Sequence, residues 1–374
     1  MQEAQHSVFY GPLWFGVCNR IMRSSCTSLC LALLLALSVR AFAIEPGDTR
    51  SQDQRREMTE RGLQFLSSIQ KDGALGDSRQ RAVTALHVLA CLSSGVQPTH
   101  PVHGASVRAA CDWLLVNSSK SFLGGTEEPN ADHAIVLLAL SELVGTAAAA
   151  TNNLALYEKS RTALQYSLEI QDDGTDPRHT GGWKPDDRTR VNDRMLTTWF
   201  LWTLYAGQLL DEKIPKSSVE RAVEFVLASQ KDATAEKEDE RGGFSIGAAG
   251  LPVRSATAAG MAAIALFDPD KTRLDLARSW LARHPPNWYG PHFYATHFFA
   301  VRALYRAREA DGGKAFAAYF QRVVRLLRER QQADGSFPYP PGEGGPVVAM
   351  GPGYSTAMAI LILNADRGFL PVDQ

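Results

Sequence analysis

Two kinds of hydrophobic pattern alternate along the chain. In the first kind apolar residues recur on one side only, as with Phe316 and Phe320, while Arg322 and similar residues occupy the other side. That spacing predicts amphipathic helices with one exposed face. Segments of the second kind, such as 134–144 (AIVLLALSELV) and 257–267 (TAAGMAAIALF), are apolar nearly all round. They predict helices that are enclosed on every side.

The two patterns form a repeating unit. Each one-sided helix ends in a glutamine-like residue, an Asp/Gly-rich loop follows, often with Gly-Gly-aromatic, and an Ala- and Leu-rich helix comes next. A glutamine there can satisfy free carbonyls at the helix end, and glycine supplies the positive φ of the stop, so we interpret these residues as structural. The anchors are Gln70, Gln171, Gln230 and Gln331, with weaker equivalents at Asn117 and His284.

Six such units fill residues 44–374 and leave almost no sequence for strands. Each unit has one half-exposed helix and one enclosed helix. Two concentric layers of helices bury the apolar surfaces of both kinds. We therefore predict an all-α fold, an (α/α)6 toroid of six helical hairpins with two concentric helix rings, in one domain.

Residues 1–43 are predicted to lie outside that domain. The apolar stretch 26–39 follows Arg20 and Arg23 and precedes Ala41-Phe42-Ala43, which is the pattern of a secretory signal cut after Ala43. Met22 is an alternative translation start. The stretch is short for a membrane span, and a buried helix of the folded domain is the other interpretation.

Composition narrows the functional classes. The chain has 374 residues and a formal net charge of −1, which argues against nucleic acid as a partner. No other stretch reaches transmembrane length, so the mature chain is expected to be exported to the periplasm or the extracellular space, without a transmembrane segment. Cleavage would leave Cys91 and Cys111, either paired in a disulfide or packed as buried thiols.

The units resemble the QW-type repeats of the terpenoid cyclase and protein prenyltransferase superfamily, in particular squalene cyclase-like repeat proteins. The matching segments are 331–337 (QQADGSF), 181–183 (GGW) running into Asp193 and 197–199 (TTW), and 242–244 (GGF) before 255–258 (SATA). The resemblance implies that any chemistry lies where the inner helices begin, at one end of a central cavity.

The resemblance also implies a candidate acid. Cyclases of that family protonate an alkene or epoxide with an Asp-x-Asp-Asp run at an inner-helix start, and here Asp132 falls near the proton-donor position with His133 beside it as a candidate proton shuttle. The flanking acids of the run are absent. The alternative is that Asp132 caps the inner helix and His133 is an ordinary, satisfied polar residue.

Prenyltransferases of this fold hold zinc with Asp, Cys and His, but neither Cys91 nor Cys111 sits in a matching Asp-x-Cys run. We therefore predict no metal and no cofactor. Further candidates fall at the same presumed mouth, where aromatic faces can stabilise a carbocation or simply pack in the core. These candidate cavity residues are Asp193, Trp199, Trp202, His292, Tyr294 and His297.

The polar stretch 231–241 (KDATAEKEDER) predicts an exposed loop, with a lid over the substrate as the alternative.

Three functions remain open at this point. The first is an exported protein that binds or transforms an apolar, isoprenoid-like ligand in the central cavity by acid-initiated, metal-independent chemistry. The second is a non-catalytic exported scaffold for protein or peptide partners. The third is a polysaccharide lyase or hydrolase on a similar toroid, in which His292, Tyr294 and His297 would do acid/base work on a glycan.

Overall fold

The computed structural model describes residues 46–146, 153–174, 180–247, 250–267 and 270–374. The chain divides into two compact units, 1–52 and 53–374. Of the first unit only residues 46–52 are described, and they are helical. The predicted signal segment and its cleavage site at Ala43 lie outside the described residues.

The described residues form helices in alternating outer and inner positions, and their only β pairings are isolated bridges. The outer helices are α1 (Pro46–Ile69), α3 (Gly104–Val116), α5 (Asn153–Glu169), α7 (Lys216–Leu227), α9 (Lys271–Arg283) and α11 (Lys314–Arg328). The inner helices are α2 (Gln80–Ser93), α4 (Pro129–Gly145), α6 (Arg194–Leu209), α8 (Arg254–Phe267), α10 (Phe293–Arg306) and α13 (Pro352–Leu363), with the short α12 (Gly345–Val348) before the last.

The inner helices form a closed ring. Each packs against its two inner neighbours, and α13 packs against α2, which completes the circle. The enclosed pattern of 134–144 is explained by this position, because every residue of α4 from Asp132 to Leu143 is buried. The predicted (α/α)6 toroid is confirmed.

The glutamine anchors join neighbouring hairpins. Gln171 Nε2 donates to the carbonyl of Gly181 in its own loop at 2.9 Å and to that of Ser218 in the next outer helix at 2.8 Å. Gln331 does the same with Gly335 and with Met58 of α1, and so ties the last hairpin to the first. The prediction that these amides serve their own helix ends was therefore wrong for the strong anchors.

The weaker anchors behave differently. Asn117 Nδ2 bonds to the carbonyl of Trp113, and His284 Nδ1 lies 2.8 Å from that of Trp280, in each case within the residue's own helix or its end. Within the described residues neither side chain contacts the next outer helix, so neither forms a link of this kind between hairpins.

The loop glycines allow this close approach. Gly335 has φ +94, and a Cβ added there would lie 2.3 Å from the carbonyl oxygen of Arg61 in α1. Gly181 and Gly242 face the carbonyls of Arg221 and Leu276 in the same way. A side chain at these positions would hold the outer helices apart.

The C-terminal turn fills the end of the ring at which the inner helices finish. Val372 is fully buried and donates its N–H to a carboxyl oxygen of Glu142, while Asp373 pairs with Arg302 at 3.0 Å. Glu142 and Arg302 lie near the carboxyl ends of α4 and α10, so the turn closes the ring at the end opposite to the helix starts.

Cys91 and Cys111 are both free and buried, which corresponds to the alternative of buried thiols. Among the described residues, no helix combines the length and hydrophobicity that crossing a bilayer requires.

Candidate functional site

A cavity of about 340 Å³ opens where the inner helices begin. All six inner helices or the residues just before them contribute to its wall. The apolar lining residues are Ala82, Leu86, Ala131, Ile135, Pro185, Met195, Leu196, Trp199, Ile246, Ala256, Ala295, Val347 and Met350, and the amphipathic Tyr354 lies with them. The polar ones, which mostly come from the helix starts, are Arg79, Glu128, Asp193, Arg194, Ser255 and His292.

Arg79 forms the most extensive polar contact at this mouth. It precedes α2 in a left-handed conformation with φ +46. From there its Nε and Nη2 reach Oδ1 of Asp132 at 2.7 and 2.6 Å, and its Nη1 reaches Oε2 of Glu128 at 2.5 Å. One guanidinium therefore joins two carboxylates of neighbouring α4.

Asp132 lies behind that guanidinium. Its side chain is 1% exposed and does not line the cavity, whereas Arg79 does. Burial raises the pKa of Asp132 to about 6, against the opposing effect of the Arg79 cation. Asp132 makes no cap for α4, whose N-cap residue is Glu128, and its Oδ2 has no hydrogen-bond partner among the described residues. The capping alternative was wrong, because the carboxylate instead holds Arg79.

His133 points away from the cavity and serves the wall of the toroid. Its Nδ1 accepts the backbone N–H of Leu123 at 3.0 Å, and its Nε2 lies 2.9 Å from Oγ of Ser167 on outer helix α5. Burial lowers the pKa of His133 to about 4, so the ring is neutral. The structure places it as a satisfied core residue, whose two ring nitrogens are both occupied by Leu123 and Ser167.

The same contact recurs around the ring. A loop backbone N–H donates to a polar side chain in the first turn of five inner helices. The acceptors are Thr84, His133, Thr197, Thr257 and Thr356. His133 thus occupies the position that threonine holds in the other four hairpins.

Three of the predicted cavity residues do line the central cavity. Asp193 caps α6, since its Oδ1 accepts the N–H of Leu196 at 2.7 Å. Trp199 is buried on the same helix and stacks on Phe298 at 4.9 Å. Asp193 is held by its own helix and Trp199 by packing against α10, so both form part of the cavity wall.

His292 is the third. It has a left-handed backbone with φ +56 just before α10, and its N–H donates to the Glu343 carboxylate at 2.9 Å. Its Nδ1 lies 3.8 Å from the same carboxylate, and its side chain is 47% exposed. It is the most accessible of the predicted residues at the mouth.

The other predicted residues face elsewhere. Trp202 is fully buried against Phe298, and Tyr294 donates its hydroxyl to the carbonyl of Pro338 at 2.6 Å. His297 pairs through Nδ1 with the Tyr319 hydroxyl on outer helix α11 and lines a different cavity. None of the three lines the central cavity. Tyr294 and His297 lie at +1 and +4 from Phe293 and contact neighbouring layers, and Trp202 packs on the ring of Phe298 in α10.

Arg79, Glu128 and Arg194 line the mouth but were not singled out from the sequence. Arg194 donates to the carbonyl of Ile246 and lies over the Phe225 ring at 4.7 Å. The sequence feature that could have identified these three residues as cavity residues is their position directly before or at an inner-helix start. The described residues contain no group of three or more His, Cys, Asp or Glu side chains arranged to hold a metal ion.

Comparisons with known proteins establish the architecture. No family model and no curated protein matches the sequence. Among solved structures, the α-1,6-mannanase GH76A of Salegentibacter in complex with α-1,6-mannotriose is 11% identical, with a TM-score of 0.58 over 84% of this chain and 99% of that chain.

Two further structures share the fold. The GH76 α-mannanase of Bacteroides thetaiotaomicron is 11% identical, with a TM-score of 0.55 over 83% of this chain and 95% of that one. A type II terpene cyclase from Scytonema in complex with geranylgeranyl dihydroxybenzoate is 15% identical, with a TM-score of 0.54 over 86% and 99%. These α/α toroid proteins act on different substrate classes, so the likeness shows the fold alone.

Proposed function

We propose that this protein binds a mainly apolar, isoprenoid-like ligand in the central cavity, with the polar end of the ligand at the mouth. The observation that carries the proposal is the division of the lining, in which apolar side chains such as Leu86, Ile135 and Trp199 form most of the wall and polar ones cluster at the helix starts. A volume of about 340 Å³ is within the usual range for small-molecule pockets.

The mouth favours a head group of low charge. The Arg79 cation is already matched by Asp132 and Glu128, and Asp193 adds a further carboxylate near Arg194. A strongly anionic head group would meet the carboxylates of Glu128 and Asp193 in the lining, with Asp132 directly behind Arg79. A hydroxyl or carbonyl group can instead bond to Arg194 or His292 without an excess of like charge.

Acid-initiated chemistry has weaker support than binding. A general acid must lie within hydrogen-bond reach of the atom that it protonates. Asp132 is ion-paired and Arg79 stands between it and the cavity, so protonation of a ligand by Asp132 requires the guanidinium to move first. We therefore propose a binding protein and assign no catalytic step. Export is part of the proposal and depends on the apolar stretch 26–39.

The test is mass spectrometry of organic extracts from the purified chain beginning at Ile44, with a denatured control, together with titration by geranylgeraniol. Ala295→Trp should abolish saturable binding, because Ala295 lines the cavity and an indole would fill it. Ala310→Trp, at an exposed position, is the matched control and should bind normally. If neither a co-purifying lipid nor saturable geranylgeraniol binding is found, the proposal is wrong.

A glycosidase is the second candidate, because two carboxylates, Glu128 and Asp193, line the same mouth from neighbouring inner-helix starts. Glycoside hydrolysis commonly uses such a pair. The test is hydrolysis of α-1,6-mannotriose, the ligand of one structural neighbour. Activity that is lost in both Glu128→Gln and Asp193→Asn would support this candidate, whereas no turnover together with no lipid binding would favour the scaffold.

A further inference from the structure

A second cavity, of about 500 Å³, lies between the fourth and fifth hairpins. Its walls are the residues leading into α8 (251–255), the turn at Glu238–Glu240, and the loop between α9 and α10. It shares Ser255 with the central cavity, but its remaining lining residues are different. The polar stretch 231–241 therefore forms one wall of a cavity, in addition to being largely exposed as predicted.

One side of this second cavity is a fixed aromatic wall. The Trp280 indole Nε1 donates to the carbonyl of Asp239 at 2.8 Å, and its ring stacks on His284 at 3.7 Å between centroids. Trp280 is 3% exposed and Phe293 is 2% exposed, and both line the cavity. The apolar surface is thus held in place before any ligand arrives, which lowers the entropic cost of binding.

One cation in the wall lacks a counter-charge. Lys237 pairs with Glu240 at 3.2 Å, and Asp239 pairs with His284 at 3.0 Å. Arg254 has no ion-pair partner among the described residues, and its Nε is fixed by the carbonyl of His284 at 3.2 Å. Arg254 is half-buried, and Gly290 brings no side chain against its guanidinium, since an added Cβ there would contact Nη1 at 3.7 Å.

The floor holds an unsatisfied hydroxyl. Thr296 lines the cavity, is 2% exposed, and its Oγ1 has no hydrogen-bond partner among the described residues. In the other five hairpins the polar residue in the first turn of the inner helix accepts a loop backbone N–H, as Thr257 does from Phe244 at 2.9 Å. The fifth hairpin lacks that bond in the described part of the chain, so the buried Thr296 hydroxyl is left without a partner. A buried hydroxyl without a partner is unfavourable, and a ligand can supply the missing bond.

We propose that this second cavity binds a small aromatic carboxylate, with its ring against Trp280 and Phe293 and its carboxylate on Arg254 and Thr296. A guanidinium and a hydroxyl are suitable donors for a carboxylate. A single unpaired cation beside Asp239 and Glu240 matches one negative charge and disfavours a dianion such as phosphate. The buried His297 ring, which also lines the floor, is bound through Nδ1 to Tyr319 and remains neutral.

The experiment is calorimetric titration of the chain from Ile44 with phenylacetate, with phenylacetamide as the neutral isostere and inorganic phosphate as the dianion. Phenylacetate should bind saturably and both other probes should bind at least about tenfold more weakly. Arg254→Gln should weaken phenylacetate binding by about tenfold or more, and the exposed Arg325→Gln should leave it unchanged. Thr296→Val replaces the hydroxyl with a methyl group of similar size and should weaken binding by about three- to tenfold, which keeps the test decisive if Arg254→Gln folds poorly.

The variant Arg194→Gln tests which cavity binds phenylacetate, because Arg194 lines the central cavity and not the second one. Loss of phenylacetate binding in Arg194→Gln but not in Arg254→Gln would assign the ligand to the central cavity and overturn the proposal. Equal affinity for phenylacetate and phenylacetamide, tighter binding of phosphate, or no saturable binding of phenylacetate would overturn it as well. Because geranylgeraniol carries no charge and its test uses Ala295, failure of either proposal is distinguishable from failure of the other.

Discussion

Arg79 and Asp132 form a buried ion pair across the first two inner helices, with Nε and Nη2 of the guanidinium 2.7 and 2.6 Å from a single carboxylate oxygen. The pair joins α2 to α4 at the edge of the central cavity. The family resemblance implied Asp132 as a catalytic acid, but in the structure its carboxylate is in contact with the Arg79 cation. Arg79 itself faces the cavity.

Arg79→Met should destabilise the fold in a pH-dependent way. Removing one member of a buried pair leaves an uncompensated charge, which costs about 3 kcal/mol or more. The pKa of Asp132, already raised by burial, should rise further without the cation. The loss in free energy of unfolding should therefore be large at pH 8 and small near pH 4, where the carboxyl is protonated.

Urea denaturation at the two pH values measures this effect. The double variant Arg79→Met/Asp132→Asn is the control and should recover most of the stability at pH 8. An equal loss at both pH values would show that packing, not the unpaired carboxylate, dominates.

Glu142 should make the protein less stable as the pH rises. Burial raises its pKa from 4.5 to about 8, so its contribution is fully favourable below 4.5 and is lost as the pH passes through 8. Between pH 5 and 8 the wild-type free energy of unfolding should fall more steeply than that of Glu142→Gln, by up to roughly 1.4 kcal/mol per pH unit.

The comparison uses urea denaturation at several pH values. Glu220→Gln, at a half-exposed side chain paired with Lys216, is the matched control and should keep the wild-type slope. If the free energy of unfolding changed with pH in the same way for the wild type and Glu142→Gln, the raised pKa of Glu142 would be contradicted.

Gln331→Ala should weaken ring closure. The variant loses two hydrogen bonds, to Met58 and to Gly335, and we expect about 2 kcal/mol less stability because each is worth about 1 kcal/mol net. Asn117→Ala removes one exposed bond within its own helix and should cost clearly less. Denaturant midpoints of the two variants measure the difference, and similar losses would mean that the link between the last and first hairpins adds little.

Cys91 and Cys111 should not react in the folded chain that begins at Ile44. Both thiols are buried, and burial raises the pKa of Cys111 to about 12, so little thiolate is present. A colorimetric thiol reagent should find no fast-reacting group in the native protein and two in denaturant. Detection of a single disulfide by mass under non-reducing conditions would contradict the free state.

The hydrophobic pattern by itself determined the architecture. The alternation of one-sided and all-round apolar helices predicted the two rings, because a helix such as 134–144 can be buried only between two layers. The family resemblance, and not the hydrophobic pattern, implied that the mouth lies at the inner-helix starts, where Asp193, Trp199 and His292 are found. The two helix patterns and the repeated loop motifs are local or periodic, so both can be recognised from the sequence alone.

The tertiary structure alone decided which polar groups meet. The left-handed backbone at Arg79 turns its guanidinium onto Asp132, and no hydrophobic pattern encodes that conformation. His133 and His297 were expected at a working mouth, yet the turn of each helix directs them to the outer layer. The direction of a side chain depends on the phase of its helix within the ring, and that phase is fixed by contacts between residues far apart in the chain.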